Sequence, residues 1–215
     1  MSEIFVSHGA KDVKIRRFFS DIFSITNVRG VFKEIEGFRT PQAWIEIQND
    51  IQLSRAIFVL LGPHVQEIKH TRDWVVWESA IGSPMRKEIW VFEPYEHLGK
   101  IDVIIPHVDH YMIFQQTKEY QDYIKQIIEA YDTSQVLPAT LIGGITGGLL
   151  LGPLGALSGA IAGGIIADPL RNKPPGLPFK CEKCFVEYRI HSRSEHIRCP
   201  TCNTWYRIDW GKIEK

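Results

Sequence analysis

A tryptophan and a glutamate four residues apart are the residues of this chain best suited to chemistry. Trp74 and Glu78 lie in the run Asp73-Trp74-Val75-Val76-Trp77-Glu78, and positions i and i+4 of a helix share a face. Trp77 and Ile81 continue an apolar stripe at helical spacing, so Glu78 borders it. Desolvation and neighbouring aromatic rings shift the pKa of such a carboxylate away from that of an ordinary surface charge. Catalytic acids are found in surroundings of this kind. The alternative is that Glu78 marks the solvent edge of an amphipathic helix.

Four cysteines form the second arrangement with recognisable chemistry. Cys181 and Cys184 make one C-x-x-C pair, Cys199 and Cys202 make the other, and fourteen residues separate the pairs. Two such knuckles supply four thiolates to one tetrahedral zinc ion, which should be structural because cysteine fills every ligand position. Short strands predicted beside the knuckles make the segment resemble a zinc ribbon, whose core is too small to fold without its metal. Two disulfides or a redox pair are the alternatives.

Alternating strands and helices are predicted to position the Trp74 and Glu78 pair. A short apolar run such as 55–63, rich in branched residues and closed by Gly-Pro, is typical of a strand buried on both faces. Strands that alternate with helices indicate a parallel sheet covered on both sides, which is an α/β fold. The predicted strands are 4–8, 28–35, 55–63, 88–92 and 103–106, and the predicted helices are 12–24, 41–53, a helix around Glu78, and 115–131.

Residues 1–135 resemble a TIR domain, and four segments in register carry the resemblance. They are Ile4-Phe5-Val6-Ser7-His8, the Val31-Phe32 strand with the loop that leads to Trp44, Ser54-Arg55-Ala56, and Asp73-Trp74 through Glu78. Their order and spacing match the enzymatically active members of the family best. The resemblance implies a flavodoxin-like sheet whose strand ends form a ligand crevice, and it implies assembly with further copies of the chain.

The resemblance also implies cleavage of the bond between nicotinamide and ribose in NAD. Such a reaction passes through an oxocarbenium-like state, whose positive charge a carboxylate stabilises. Glu78 occupies the position of the family's catalytic glutamate. Trp74, His8 and Trp44 match aromatic or histidine positions of active members and are the predicted substrate-binding residues. Trp74 and His8 are equally well explained as buried structural residues.

Two function classes stay open for the whole chain. The first is an NAD glycohydrolase in signalling or defence that yields nicotinamide and either ADP-ribose or a cyclic ADP-ribose. The second is a non-catalytic TIR scaffold or adaptor that self-assembles at a membrane, because a fold alone does not license a function. The presence of Trp74 together with Glu78 favours the enzyme.

An uncharged, glycine-rich stretch at 136–167 joins the cysteine-free part of the chain, before it, to the cysteine-bearing part, after it. Glycine recurs every four residues from Gly144 to Gly152 and again from Gly155 to Gly163. Small residues at this spacing let helices pack closely in lipid, and the stretch resembles glycine-zipper membrane segments. A Gly-Pro-Leu-Gly turn at 152–155 favours a hairpin of two short helices over one kinked span. A flexible linker or an aqueous oligomerisation segment is the alternative.

Charge and segment order complete the expectations. The predicted segments are a TIR domain at 1–135, a membrane segment at 136–167, a linker at 168–179 and a zinc ribbon at 180–215. With 25 Lys plus Arg against 25 Asp plus Glu, the chain lacks the basic excess of nucleic-acid binders, so nucleic acid is an open but unfavoured partner of the ribbon. No cleavable leader is recognised, so the TIR domain is expected in the cytoplasm, held at a membrane or, alternatively, free.

Overall fold

The structure is a computed structural model that describes residues 1–33, 41–98, 100, 103–132, 176–191 and 194–209. The predicted membrane segment at 136–167 and most of the predicted linker lie outside the described residues. Within the described ranges, no helix combines the length and apolar character needed to cross a bilayer.

Strands and helices alternate through the first 130 residues, and short strands follow after residue 176. The elements are β1 Glu3–Ser7, α1 Val13–Phe23, β2 Arg29–Phe32, α2 Pro41–Leu53, β3 Ala56–Leu60, α3 Pro63–Glu67, α4 Lys69–Gly82, β4 Glu88–Pro94, β5 His110–Phe114, α5 Lys118–Glu129, β6 Leu177–Lys180, β7 Glu187–Ile190, β8 His196–Arg198 and β9 Trp205–Arg207.

A seven-stranded sheet with the order β2-β1-β3-β4-β5-β7-β6 organises the molecule. Strands β1 to β5 are parallel to their neighbours, and their order is that of flavodoxin-like folds. The predicted α/β class is therefore confirmed. Strand β3, at the centre of this set, is buried at every position, as expected for a parallel strand covered on both faces.

Two apolar cores lie on opposite faces of the sheet, because successive side chains of a strand point to opposite sides. Helices α1 and α5 cover one face, where Phe19, Phe58 and Phe114 are fully buried. Helices α2 and α4 cover the other face together with residues of the cysteine-bearing part, including Ile190. This second core therefore joins the two parts of the chain.

The fifth strand is the element that the sequence analysis placed wrongly. Residues 103–106 were expected to form it, but the strand is His110–Phe114, with all five residues buried. Pro106 has no amide hydrogen for a sheet ladder, and Ile105 instead donates its backbone N–H to Pro200 O at 2.9 Å. The segment is thus held against the cysteine-bearing part. No local sequence pattern predicts that contact.

The cysteine-bearing part adds two strands to the sheet. Strand β7 pairs with β5 in parallel, and β6 pairs with β7 in antiparallel orientation, whereas β8 and β9 form a separate hairpin. The described residues between β4 and β5 contain a 3-10 turn at Tyr95–His97 and no α-helix. The cysteine-bearing part packs where a crossover helix would otherwise cover this face. The predicted domain boundaries remain a prediction.

Because Ile190 is 2% exposed in the shared core, Ile190→Ala should destabilise the whole protein. Loss of a buried isoleucine side chain costs about 2–5 kcal/mol, and we expect urea unfolding followed by the helical circular dichroism signal to shift accordingly. Ile104→Ala is the matched control, since Ile104 is 50% exposed and should change stability by less than about 0.5 kcal/mol. A helical signal that unfolds at the wild-type urea concentration in Ile190→Ala would show that the cysteine-bearing part unfolds separately.

Candidate active site and metal centre

Glu78 is buried in the middle of α4, where two donors from different elements hold its carboxyl group. Its exposure is 3%. Ser7, the last residue of β1, donates its hydroxyl to Glu78 Oε2, and Trp74 donates Nε1–H to Glu78 Oε1 at 2.6 Å. Each carboxyl oxygen therefore has one donor, and the group is fixed at the junction of β1 and α4.

The environment of Glu78 changes its acidity. Burial raises the pKa of Glu78 to about 7, although the hydrogen bonds from Ser7 and Trp74 lower it. Both donors are neutral, so they stabilise the ionised form less than a counter-charge would. A carboxyl group with a pKa near neutrality in a partly apolar site is the kind of group that enzymes use as a base or as an electrostatic stabiliser.

Three tryptophans form a wall beside this carboxyl group. The ring of Trp44, on α2, lies edge-on to the rings of Trp74 and Trp77 at centroid distances of 5.0 and 4.5 Å, and Trp74 lies 4.7 Å from Trp77. Trp44 is 40% exposed, so the wall reaches the surface. The structure thus brings together three of the predicted site residues, Glu78, Trp74 and Trp44.

His8 stands apart from this group. Its Nδ1 lies 3.2 Å from Gly9 O, which requires the proton on Nδ1, and burial lowers the pKa of His8, so the ring is neutral near pH 7. It packs beside Phe32, with ring centroids 5.8 Å apart, on the side of α1. Within the described ranges, Nε2 has no hydrogen-bond partner, and no hydrogen bond joins His8 to Glu78.

Sequence reasoning missed an Asp12–His64 pair at the same edge of the sheet. Asp12 Oδ1 accepts hydrogen bonds from the backbone N–H and Nδ1 of His64, at 3.2 and 2.7 Å. A side chain on Gly62 would lie 2.1 Å from the Asp12 carboxyl carbon, so only glycine fits there. The pair joins the segment that follows β1 to the segment that follows β3. At this point the strand order reverses, which is where ligands of such sheets bind.

Ser7 was also missed as a site residue, although it lies in a segment that carries the family resemblance. Its hydrogen bond to Glu78 spans 71 positions of the chain, and no local pattern encodes a contact of that range. A serine at the end of a buried strand was the available signal.

The four cysteines come together as predicted and fit a single metal ion. Their sulfur atoms all lie within 4.8 Å of one another, with Cys181 Sγ 3.5 Å from Cys202 Sγ and Cys184 Sγ 3.8 Å from Cys199 Sγ. A tetrahedral ion with metal–sulfur bonds of about 2.3 Å places its ligands roughly 3.8 Å apart. A disulfide needs about 2.05 Å, and the four cysteines are free.

The two knuckles have the same backbone turn. Phe185 and Asn203 each follow the second cysteine of a pair, with φ values of 61° and 58°. Each donates its backbone N–H to the carbonyl of the first cysteine, Cys181 or Cys199, at 2.9 Å. This repetition turns both pairs of thiols toward one centre, which accounts for the compact sulfur cluster.

Replacing Glu78 should alter how stability depends on pH. The folded-state pKa is raised from 4.5 to about 7, so the stabilisation from proton binding is full below about pH 4.5 and is lost as pH rises through about 7. The difference is about 3 kcal/mol. We expect the free energy of unfolding to fall by about 2.5 kcal/mol more in wild type than in Glu78→Gln between pH 5 and pH 8.5, measured by urea denaturation. Glu96→Gln, at an exposed acid, should behave as wild type; identical pH profiles for Glu78→Gln and wild type would contradict the assignment.

No protein-family model matches the chain, and no curated protein matches it. Among solved structures, the chain is similar to the CMP N-glycosidase BcmB of Clostridium botulinum, with 16% sequence identity and a TM-score of 0.36, over 57% of this chain and 98% of that one. A likeness of this size carries no inference about the activity or substrate of this chain.

Proposed function

We propose that this protein is an NAD glycohydrolase of the TIR type in which Glu78 is the catalytic residue. The observation that carries the proposal is the buried Glu78 carboxyl group, held by Ser7 and Trp74 beside a tryptophan wall. The group lies near the carboxyl ends of parallel strands, where ligands of this sheet type bind. Burial of an acid held only by neutral donors costs stability, as is common at functional sites.

The reaction needs little from the protein beyond charge and position. The bond between nicotinamide and C1′ of the ribose breaks with its electron pair going to nicotinamide, which leaves as a neutral ring and needs no proton. Water then attacks C1′ and releases a proton, giving ADP-ribose; attack by another part of the substrate gives a cyclic product. The ionised Glu78 carboxylate stabilises the positive charge on the ribose as it develops.

Ser7 and Trp74 act as positioning residues in this scheme. Both donors are neutral, so a ribose hydroxyl can take the place of either one on a carboxylate oxygen without leaving an unpaired charge. Trp44 presents a ring at the edge of the wall, suited to contact with the planar nicotinamide ring. His8 lies on the α1 side of the sheet, so in this proposal it contacts a more distant part of the substrate.

The remaining parts of the proposal concern assembly. Zinc is the metal proposed for the four-sulfur site, where it would stabilise the fold and, with every ligand position filled, would offer no open position to substrate. Self-association through the TIR domain and the glycine-rich segment, attachment to a membrane and a cytoplasmic TIR domain are proposed from the sequence. They concern residues outside the described ranges or partners that the structure does not contain.

Purified protein at high local concentration should release nicotinamide from NAD, and loss of the Glu78 charge should abolish most of that activity. We expect Glu78→Gln and Glu78→Ala to be slower by at least about a hundredfold, the scale of losing one electrostatic stabiliser. Glu96→Gln serves as the control for a loss of negative charge elsewhere. Folded Glu78 variants with wild-type rates would exclude the mechanism, and a wild-type protein that assembles but releases no nicotinamide would favour the scaffold.

The acidity of Glu78 should be visible in the pH profile of the reaction. Because the ionised carboxylate is the active form, kcat/KM should fall tenfold per pH unit below about pH 7. Ser7→Ala and Trp74→Phe each remove a hydrogen bond that lowers the pKa of Glu78. Each variant should therefore move this acidic limb of the kcat/KM profile to higher pH. Trp77→Phe is the matched control, because the Trp74 indole donates to Glu78 and Trp77 is only its neighbour in the wall. A limb that stays fixed in all three variants would assign it to another group.

A further inference from the structure

Arg198 links the four-cysteine site to the sheet through an ion pair with Glu93 in which both side chains are buried. It directly precedes Cys199, and its side chain is 2% exposed. Arg198 Nη2 lies 3.0 Å from Glu93 Oε2 on β4, whose side chain is fully buried. Arg198 Nη1 donates to Val103 O at 3.2 Å and to Asn203 Oδ1 in the second knuckle. The guanidinium therefore depends on both the sheet and the knuckle for its partners.

The second knuckle is also fastened to the connection between β4 and β5. Between its two cysteines, Pro200 O accepts the backbone N–H of Ile105 at 2.9 Å, and the Thr201 hydroxyl donates to Ile105 O at 3.0 Å. Both bonds are made by the turn between Cys199 and Cys202. That turn includes the left-handed residue Asn203 and gathers four thiols that have no covalent link to one another.

Glu93 makes the arrangement sensitive to disruption. Its Oε2 accepts hydrogen bonds from both Arg198 and the Tyr111 hydroxyl, the latter at 2.6 Å from β5. When one member of a buried ion pair is withdrawn, the remaining charge stays in an apolar core, which is far more unfavourable than the loss of a surface pair. Movement of Arg198 would therefore destabilise β4 and β5 together.

We propose that metal binding by the four cysteines locks the β4 and β5 side of the sheet, with Arg198 and Glu93 as the coupling pair. Loss of the metal releases the second knuckle, withdraws Arg198 from Glu93 and opens this edge of the α/β domain. The metal thus controls the order of the domain that contains Glu78, in addition to that of the ribbon. This inference concerns folding and metal binding, and it holds whether or not the protein cleaves NAD.

Linkage makes the coupling reciprocal. If the metal favours the docked arrangement, then breaking the docked arrangement must weaken metal binding by the same factor. Glu93 is the informative position, because it lies 105 residues from Arg198 in the chain and contributes no ligand atom to the metal site. A change of zinc affinity in a Glu93 variant therefore has no explanation within the knuckles themselves.

The first test is hydrogen exchange on the full-length, zinc-loaded protein before and after removal of zinc by a chelator. We expect the amides of β5, from Tyr111 to Phe114, to exchange at least about tenfold faster without metal. Metal analysis confirms the removal. Unchanged exchange in β4 and β5 after complete loss of zinc would overturn the proposal, and this experiment needs no variant.

The second test measures zinc affinity by competition with a chelating dye. Glu93→Gln and Arg198→Met should each bind zinc at least about fivefold more weakly, the lower end of typical coupling between sites. Arg207→Met is the matched control, since Arg207 is exposed on the neighbouring strand β9 and should stay within about twofold of wild type. A Glu93→Gln protein that is folded and binds zinc as wild type does would overturn the proposal, even if Arg198→Met fails to fold.

Discussion

The need to cover both faces of a parallel sheet governs most of this structure. Each strand from β1 to β5 has apolar side chains on two sides, and water must be excluded from both. Helices α1 and α5 pack on one face, whereas α2 and α4 leave the part of the other face near β4 and β5 to be covered by the cysteine-bearing part. The cysteine-bearing part is therefore placed by the need to cover the sheet, and it adds strands β7 and β6 beside β5.

The same constraint explains the properties of Glu78. Helix α4 must lay one face on the sheet, and Val75 and Ser79 on that face are buried along with Glu78. A carboxyl group in this position loses its hydration, and the neutral donors Ser7 and Trp74 replace it only in part. The raised pKa of Glu78 is thus a consequence of its packing at the ends of the strands.

Local pattern predicted the parts of the fold that depend on local chemistry. Apolar runs and helical periodicity located β1, β3, α1 and α2, and the C-x-x-C spacing predicted the sulfur cluster. Contacts between distant residues were not accessible, since neither the Ser7 to Glu78 bond nor the Arg198 to Glu93 pair leaves a trace in sequence spacing. Strand β5 was missed for a related reason: its ends, His110 and Phe114, are buried by partners that only the folded chain supplies.

The two buried glutamates differ in the groups that hold their carboxylates. Glu93 faces the guanidinium of Arg198, so its charge is neutralised inside the core and its loss would leave an unpaired cation. Among the described residues, the hydrogen-bond donors to Glu78 are a hydroxyl and an indole N–H, each of which a substrate hydroxyl would replace under the proposed function. A carboxylate without a counter-charge remains able to respond to a positive charge that arrives later, during a reaction. The two described donors to Glu78 are neutral, and under the proposed function this separates the catalytic carboxylate from Glu93, whose partner is a cation.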